Sequence, residues 1–198
     1  MSPLVALKPE ISFDDWLAGE RVSLDQRTEY VSGEIFAMSG GTAEHNAILT
    51  NMSGQLWSQT QGRRCWIYAS GMKLRIQEAD AGKYPDLMAL CGEQVFHDAR
   101  RDLLLNPSLI AEVLSDSTEG YDRGEKFALY RRIPSLREYL LVSQRRVLVE
   151  LYSRASDGRW VLVSFEDPAD QIRLESIDCT LALDAVYDKV EFRPQPGD

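Results

Sequence analysis

Two carboxylates stand where the surrounding sequence gives a charge little reason to be. Asp86 follows Pro85 at the head of the apolar run LMAL, and Glu112 interrupts SLIAEVL, the most apolar stretch of the chain. A nearly continuous apolar run of that length reads as a strand buried on both faces. If the two runs are neighbouring strands, a spacing of ~4.8 Å brings both carboxylates within reach of one hard divalent cation, with Mg2+ or Mn2+ the natural occupant. The structural alternative is that Asp86 closes a turn and Glu112 pairs with a buried Arg or Lys. Further on, Asp122, Lys126 and Tyr130 fall at i, i+4 and i+8, which places them on one face of a helix. That face either looks into the site or carries an ordinary exposed ion pair, worth only tenths of a kcal/mol.

The elements that must position these residues follow from periodicity. Residues 10–20 read as a short helix with Ser12 as its N-cap, ending near Gly19. TEYVSGEIFAM alternates on both sides of Ser32-Gly33 and predicts a hairpin. From Thr42, the residues Ala47, Ile48, Met52 and Leu56 recur at helical spacing as far as Gly62. CWIYASGMKLRIQE is extended chain broken at Gly71, YPDLMAL is a strand, and a polar connection runs to Leu105. After SLIAEVL comes the loop SDSTEG, where Ser115, Ser117 and Thr118 cap the next helix or shape the loop. That helix spans Tyr121 to Arg132 and stops before Pro134. REYLLVS, RVLVELYS and RWVLVSFE alternate as strands, the last two joined at Asp157-Gly158, and the tail EFRPQPGD is expected to fray. A strand, a crossover helix and a returning strand imply a central mixed sheet with helices on its faces, an α/β or α+β fold.

With 198 residues, 44% of them hydrophobic, one domain over 1–198 is the expectation. The mean hydropathy is −0.29 and no apolar run approaches the ~20 residues of a membrane span. The first sixteen residues lack the layout of an export signal, so a cytoplasmic protein is expected. Cys65, Cys91 and Cys179 match neither a disulfide framework nor a zinc pattern and read as buried free thiols. A net charge of −9 argues against non-specific coating of nucleic acid. Basic residues can still cluster at Arg63/Arg64, Arg100/Arg101, Arg131/Arg132 or Arg145/Arg146, although such pairs are more often solvated surface.

Five pieces, GEIFAMSGGTAEHNAILTNM, YPDLMAL, SLIAEVLSDST, DRGEKFALYRR and REYLLV, follow one another in an order and at intervals that resemble the Uma-two family of restriction-endonuclease-like proteins. The resemblance covers about residues 10–185. It implies a PD-(D/E)XK core, a central mixed sheet flanked by helices with additional N-terminal and C-terminal hairpins. Asp86 and Glu112 would then bind a divalent metal, Mg2+ or Mn2+, with the peptide carbonyl of Val113 as a further ligand. The superfamily pattern puts a lysine two residues after the glutamate, and here that residue is Leu114. In proteins similar to this family the lysine has moved to the following helix, where Lys126 of DRGEK matches, with Asp122 ahead of it. Glu34 and His45 also match family positions; His45 would assist a water or orient a carboxylate, or be simply structural, and Glu44 is an alternative acidic helix residue. The activity implied is metal-dependent DNA endonuclease, with Lys126 orienting or deprotonating the attacking water or stabilising the transition state. A homodimer is expected by analogy, since cutting a duplex takes two sites. The alternatives are an inactive or regulatory metal-binding or protein-binding module on the same fold, or a hydrolase of another phosphodiester.

Overall fold

The computed structural model describes residues 11–38, 40–115 and 118–192. Ser117 and most of the tail expected to fray lie outside them. The centre is a six-stranded mixed sheet of β3 (Cys65–Ala69), β6 (Leu87–Cys91), β8 (Leu109–Leu114), β9 (Glu138–Ser143), β10 (Val149–Arg154) and β11 (Trp160–Phe165), in the order β11-β10-β9-β8-β6-β3. Every residue of β8 and β9 is buried, the polar Glu112, Glu138 and Ser143 with the apolar rest, and these two strands pair in parallel. A parallel pair needs a crossover, which the helical chain between them supplies. It consists of α3 (Glu119–Tyr121), a π-helical segment (Asp122–Lys126) and α4 (Phe127–Tyr130).

Alternation along β8 divides the core. Leu109, Ala111 and Val113 face a layer made by α2 (Ala43–Thr60), the hairpin β12 (Gln171–Leu174) and β13 (Cys179–Ala182), and α5 (Leu183–Val186). Ile110 and Leu114 face Phe127, Tyr130, Leu136 and Tyr139 on the other side. Glu112 shares the parity of this second group, so the fold aims it at the crossover helix.

A second sheet carries the N-terminal half, in the order β2-β1-β5-β4-β7, from β1 (Thr28–Val31), β2 (Glu34–Ala37), β4 (Lys73–Ile76), β5 (Ala81–Lys83) and β7 (Leu103–Leu104). The hairpin turn has positive φ at Ser32 (46°) and Gly33 (91°), the conformation that suits a two-residue connection. Helix α1 (Phe13–Val22) begins at Ser12, whose hydroxyl accepts the Asp15 N–H, and packs Phe13, Trp16 and Leu17 against Tyr30, Tyr84 and Leu103. Gly82 permits this approach: a Cβ there would lie 2.3 Å from the Trp16 ring.

Several sequence expectations need correction. Helix α1 passes Gly19 and ends at Val22, where the Ser23 N–H bonds to the Gly19 carbonyl. The strand expected over YPDLMAL begins only at Leu87, as β6; Tyr84-Pro85-Asp86 is the crossing from β5 in the other sheet. Strands β7, β12 and β13, only two to four residues long, were too short to carry a periodic signal. The crossover helix starts at Glu119 and is π-helical in its middle. Cys65 and Cys91 are not free thiols: they are register partners in the antiparallel β3–β6 pair, 4.0 Å apart at Cα, and form a disulfide. Strand pairing brings together two cysteines whose spacing of 26 in sequence says nothing of contact. Cys179 is a buried free thiol, as expected.

Candidate active site

Strands β6 and β8 are antiparallel neighbours with Leu87 opposite Ala111. One step further along this register Asp86 stands opposite Glu112, where the ladder between the strands stops. The released backbone is used by the site. The Val113 N–H donates to Asp86 Oδ2 at 2.8 Å, and the Asp86 N–H makes a long contact of 3.5 Å with Glu112 Oε2. β5 ends at Lys83 and β6 opens at Leu87, so Asp86 is held just before a strand rather than within a ladder.

His45 Nε2 lies 3.0 Å from Asp86 Oδ2. It reaches there from the first turn of α2, whose N-cap Thr42 accepts the His45 N–H. Gly41 leaves room for the ring, since a Cβ there would sit 2.7 Å from His45 Nδ1. That Nδ1 is buried and has no hydrogen-bond partner among the described residues. Nε2 facing a carboxylate is best served by carrying the proton, which leaves Nδ1 as the unpaired acceptor.

Glu112 is buried and doubly bonded at one oxygen: Oε1 accepts the Tyr130 hydroxyl at 2.7 Å and lies 2.9 Å from Lys126 Nζ. Lys126 Nζ is also 3.2 Å from Asp122 Oδ1, off the hydrogen-bonding direction, so this buried oxygen has a charge partner but no hydrogen-bond donor. The structure therefore brings together Asp86, Glu112, Val113, Asp122, Lys126, Tyr130 and His45. It does not bring in Glu34, which is exposed on edge strand β2 and whose side chain makes no hydrogen bond or ion pair with the described residues. Glu44 lies in the first turn of α2, where a carboxylate suits the positive helix end. Leu114, in the usual lysine position, is packed in the core.

The electrostatics are those of a site short of positive charge. Glu112 and Asp122 flank one ammonium, that of Lys126, and Asp86 adds its charge beside Glu112. Burial, reinforced by Asp86 and Asp122 and opposed by Lys126, pushes Glu112 from its ordinary 4.5 up to about 8. Burial works against the charge of Lys126, but Glu112, Glu29 and Asp122 outweigh it and raise its pKa. Among the described residues no three His, Cys, Asp or Glu side chains converge as a complete metal cage. The donor chemistry nevertheless fits a hard divalent cation: two oxygen donors side by side, and a carboxylate that takes up a proton in place of missing positive charge.

Lys83 and Glu29 went unnoticed in the sequence, although both are buried beside this group. A lysine in the short run AGK, at alternation parity with apolar partners, was the available signal.

The fold is that of a restriction-endonuclease-like protein. The chain belongs to the Uma2 family, described as "Putative restriction endonuclease", whose model matches residues 13–185. Two Synechocystis relatives are similar: "Uncharacterized protein sll1609" is 41% identical over 69% of this chain and 77% of its own length. "Uncharacterized protein slr1290" is 34% identical over 93% of this chain and 95% of its own. Among solved structures, a "putative nuclease belonging to DUF820" from Anabaena variabilis superposes with a TM-score of 0.73 at 15% identity, covering 90% of this chain and 98% of that one. Family and fold together give the chain a nuclease-like role. Among the described residues no helix is long and apolar enough to cross a membrane.

Proposed function

We propose that the chain is a metal-dependent endonuclease that hydrolyses phosphodiester bonds of DNA. The observation that carries this reading is the meeting of Asp86 and Glu112 at adjoining strand ends, with Lys126 at 2.9 Å from Glu112. Asp86 and Glu112 would hold Mg2+ or Mn2+, with the Val113 carbonyl beside them. When bound, the cation supplies charge neutralisation at the phosphoryl oxygens and a more acidic water. His45 orients Asp86 through Nε2, and Tyr130 fixes Glu112 by its hydroxyl. Lys126, kept protonated by carboxylates, serves as a donor to the water or the phosphoryl oxygens and not as the base. Asp122 shares the charge of Lys126 and keeps its ammonium near the scissile group.

The test is an assay of purified protein with Mg2+ or Mn2+ against supercoiled plasmid, single-stranded DNA and RNA. Cleavage by the wild type and its loss in Asp86→Asn support the reading; identical behaviour of the two on every substrate removes it. A second reading, hydrolysis of a smaller phosphodiester, is favoured by the net charge of −9 and by the employment of basic side chains elsewhere. Arg63 bonds the carbonyls of Ile177 and Asp178, and Arg101 and Arg131 lie over the rings of Phe96 and Phe127. A small dinucleotide substrate in the same assay separates the two.

A further inference from the structure

Beside the site lies a second buried ion pair that the proposed chemistry does not use. Lys83 on β5 is wholly excluded from solvent, and its Nζ donates to Glu29 Oε2 at 2.8 Å and to the Tyr121 hydroxyl at 2.7 Å. Glu29 stands across from it on β1, one step beyond the Tyr30–Gly82 pairing, and its other oxygen receives the Tyr84 N–H at 3.3 Å. Burying an ammonium and a carboxylate is expensive, and an apolar pair of the same volume is often no worse for stability. Stability alone is therefore a poor reason for this pair.

Its position suggests another. Tyr121 closes α3, and the next residue begins the π segment that carries Asp122 and Lys126. A π turn, with its i→i+5 bonds, is rare, is found mostly as a single turn and is frequent at functional sites, so contacts from neighbouring elements help to hold it. Here the holding contacts come from outside the helix. Lys83 grips the Tyr121 hydroxyl at one end, Tyr139 donates to the Asp122 carbonyl at 3.1 Å, and Tyr130 is tied to Glu112 beyond the other end. Glu29 also ranks next to Glu112 among the carboxylates that act on Lys126. The N-terminal sheet is thus wired to the helix that presents the site lysine.

We propose that Glu29, Lys83 and Tyr121 are positioning residues: Lys83, anchored by Glu29, fixes Tyr121 and so holds the π segment in the form that presents Asp122 and Lys126 to Glu112. This rests on Lys126 belonging to the site, and not on DNA being the substrate. The first variant is Tyr121→Phe, which removes one oxygen, and the second is Lys83→Met, which keeps the length of the chain. Backbone hydrogen exchange is measured on the full metal-free chain, together with kcat and KM under the assay above. Tyr121→Phe is expected to speed exchange over residues 119–127 by about tenfold, with β8 and β9 unchanged, since one charge-assisted hydrogen bond is lost. Cleavage should lose about tenfold in kcat with KM within about twofold. Unchanged exchange in 119–127, or an increase spread evenly over the chain, overturns the proposal, as does a change confined to KM. If Lys83→Met does not fold, the Tyr121→Phe result decides. If the wild type cleaves nothing, the nuclease reading falls while the exchange measurement still settles this one.

Discussion

Glu112 is the residue on which the site turns, because it is at once buried, charged in its working form, and bonded to Lys126 and Tyr130. Its raised pKa has a direction that can be measured. With the folded value near 8 against an ordinary 4.5, the folded state keeps a proton that the unfolded state releases between those limits. Stability in chelator should therefore fall as pH rises from about 4.5 to about 8 and level off above that window. Thermal melts across this range should show the slope in wild type and lose it in Glu112→Gln, or in wild type with Mn2+ added; an identical slope in Glu112→Gln assigns the effect to another group. Lys126→Met leaves Glu112 free to take up a proton, so at pH 6 urea denaturation should show a loss of no more than about 3 kcal/mol while cleavage disappears. Retained cleavage would remove Lys126 from the mechanism.

Two tethers hold the elements that frame this centre. Arg21 at the end of α1 grips Asp102 with two nitrogens, at 2.6 and 3.1 Å, and Lys73 adds a third contact at 3.2 Å. The hydrogen bond from Arg21, against a smaller opposing effect of burial, lowers the Asp102 pKa from 3.8 to about 2. A depressed carboxyl contributes stability above its unfolded value and loses it as pH falls through 3.8 toward 2. Asp102→Asn should lower the melting temperature at pH 7 and flatten its decline below pH 4; equal melts at pH 7 would show that the bridge is idle. The Cys65–Cys91 bond is the other tether, tying β3 to β6 at the end opposite Asp86. Closing a 26-residue separation is worth about 3.5 kcal/mol in the chain-entropy account. Thiol titration of the unfolded protein should find one free thiol without reductant and three with it, and reduction should lower the denaturation midpoint. Three thiols without reductant would show that the bond does not form in the isolated protein.

For the molecule as a whole, a net charge of −9 sets the terms of any meeting with a polyanion. A centre in which Asp86 and Asp122 stand beside Glu112 and a single ammonium offers phosphate little attraction until a cation is present. In fluorescence anisotropy with a short DNA duplex, binding in chelator should be too weak to detect at tens of micromolar protein, and Mn2+ should restore it. Equal binding in both conditions would place DNA recognition on a surface away from Asp86 and Glu112.

Asp86 and Glu112 were legible because a charge inside an apolar run is a local anomaly, and local patterns survive in a linear sequence. The same holds for Ser12 as an N-cap, for the Ser32-Gly33 hairpin and for β8 and β9, whose runs are buried throughout. What the sequence left open is contact between distant segments. His45 and Asp86 are 41 residues apart and Lys83 and Tyr121 are 38 apart, and no periodicity links them. The Cys65–Cys91 bond, the passage from one sheet to the other at Tyr84-Pro85-Asp86 and the π turn at Asp122 are of the same kind. Each depends on which strands pair and on what packs against a helix, and that choice is made by the burial of the whole core and not by any residue's neighbours in the chain.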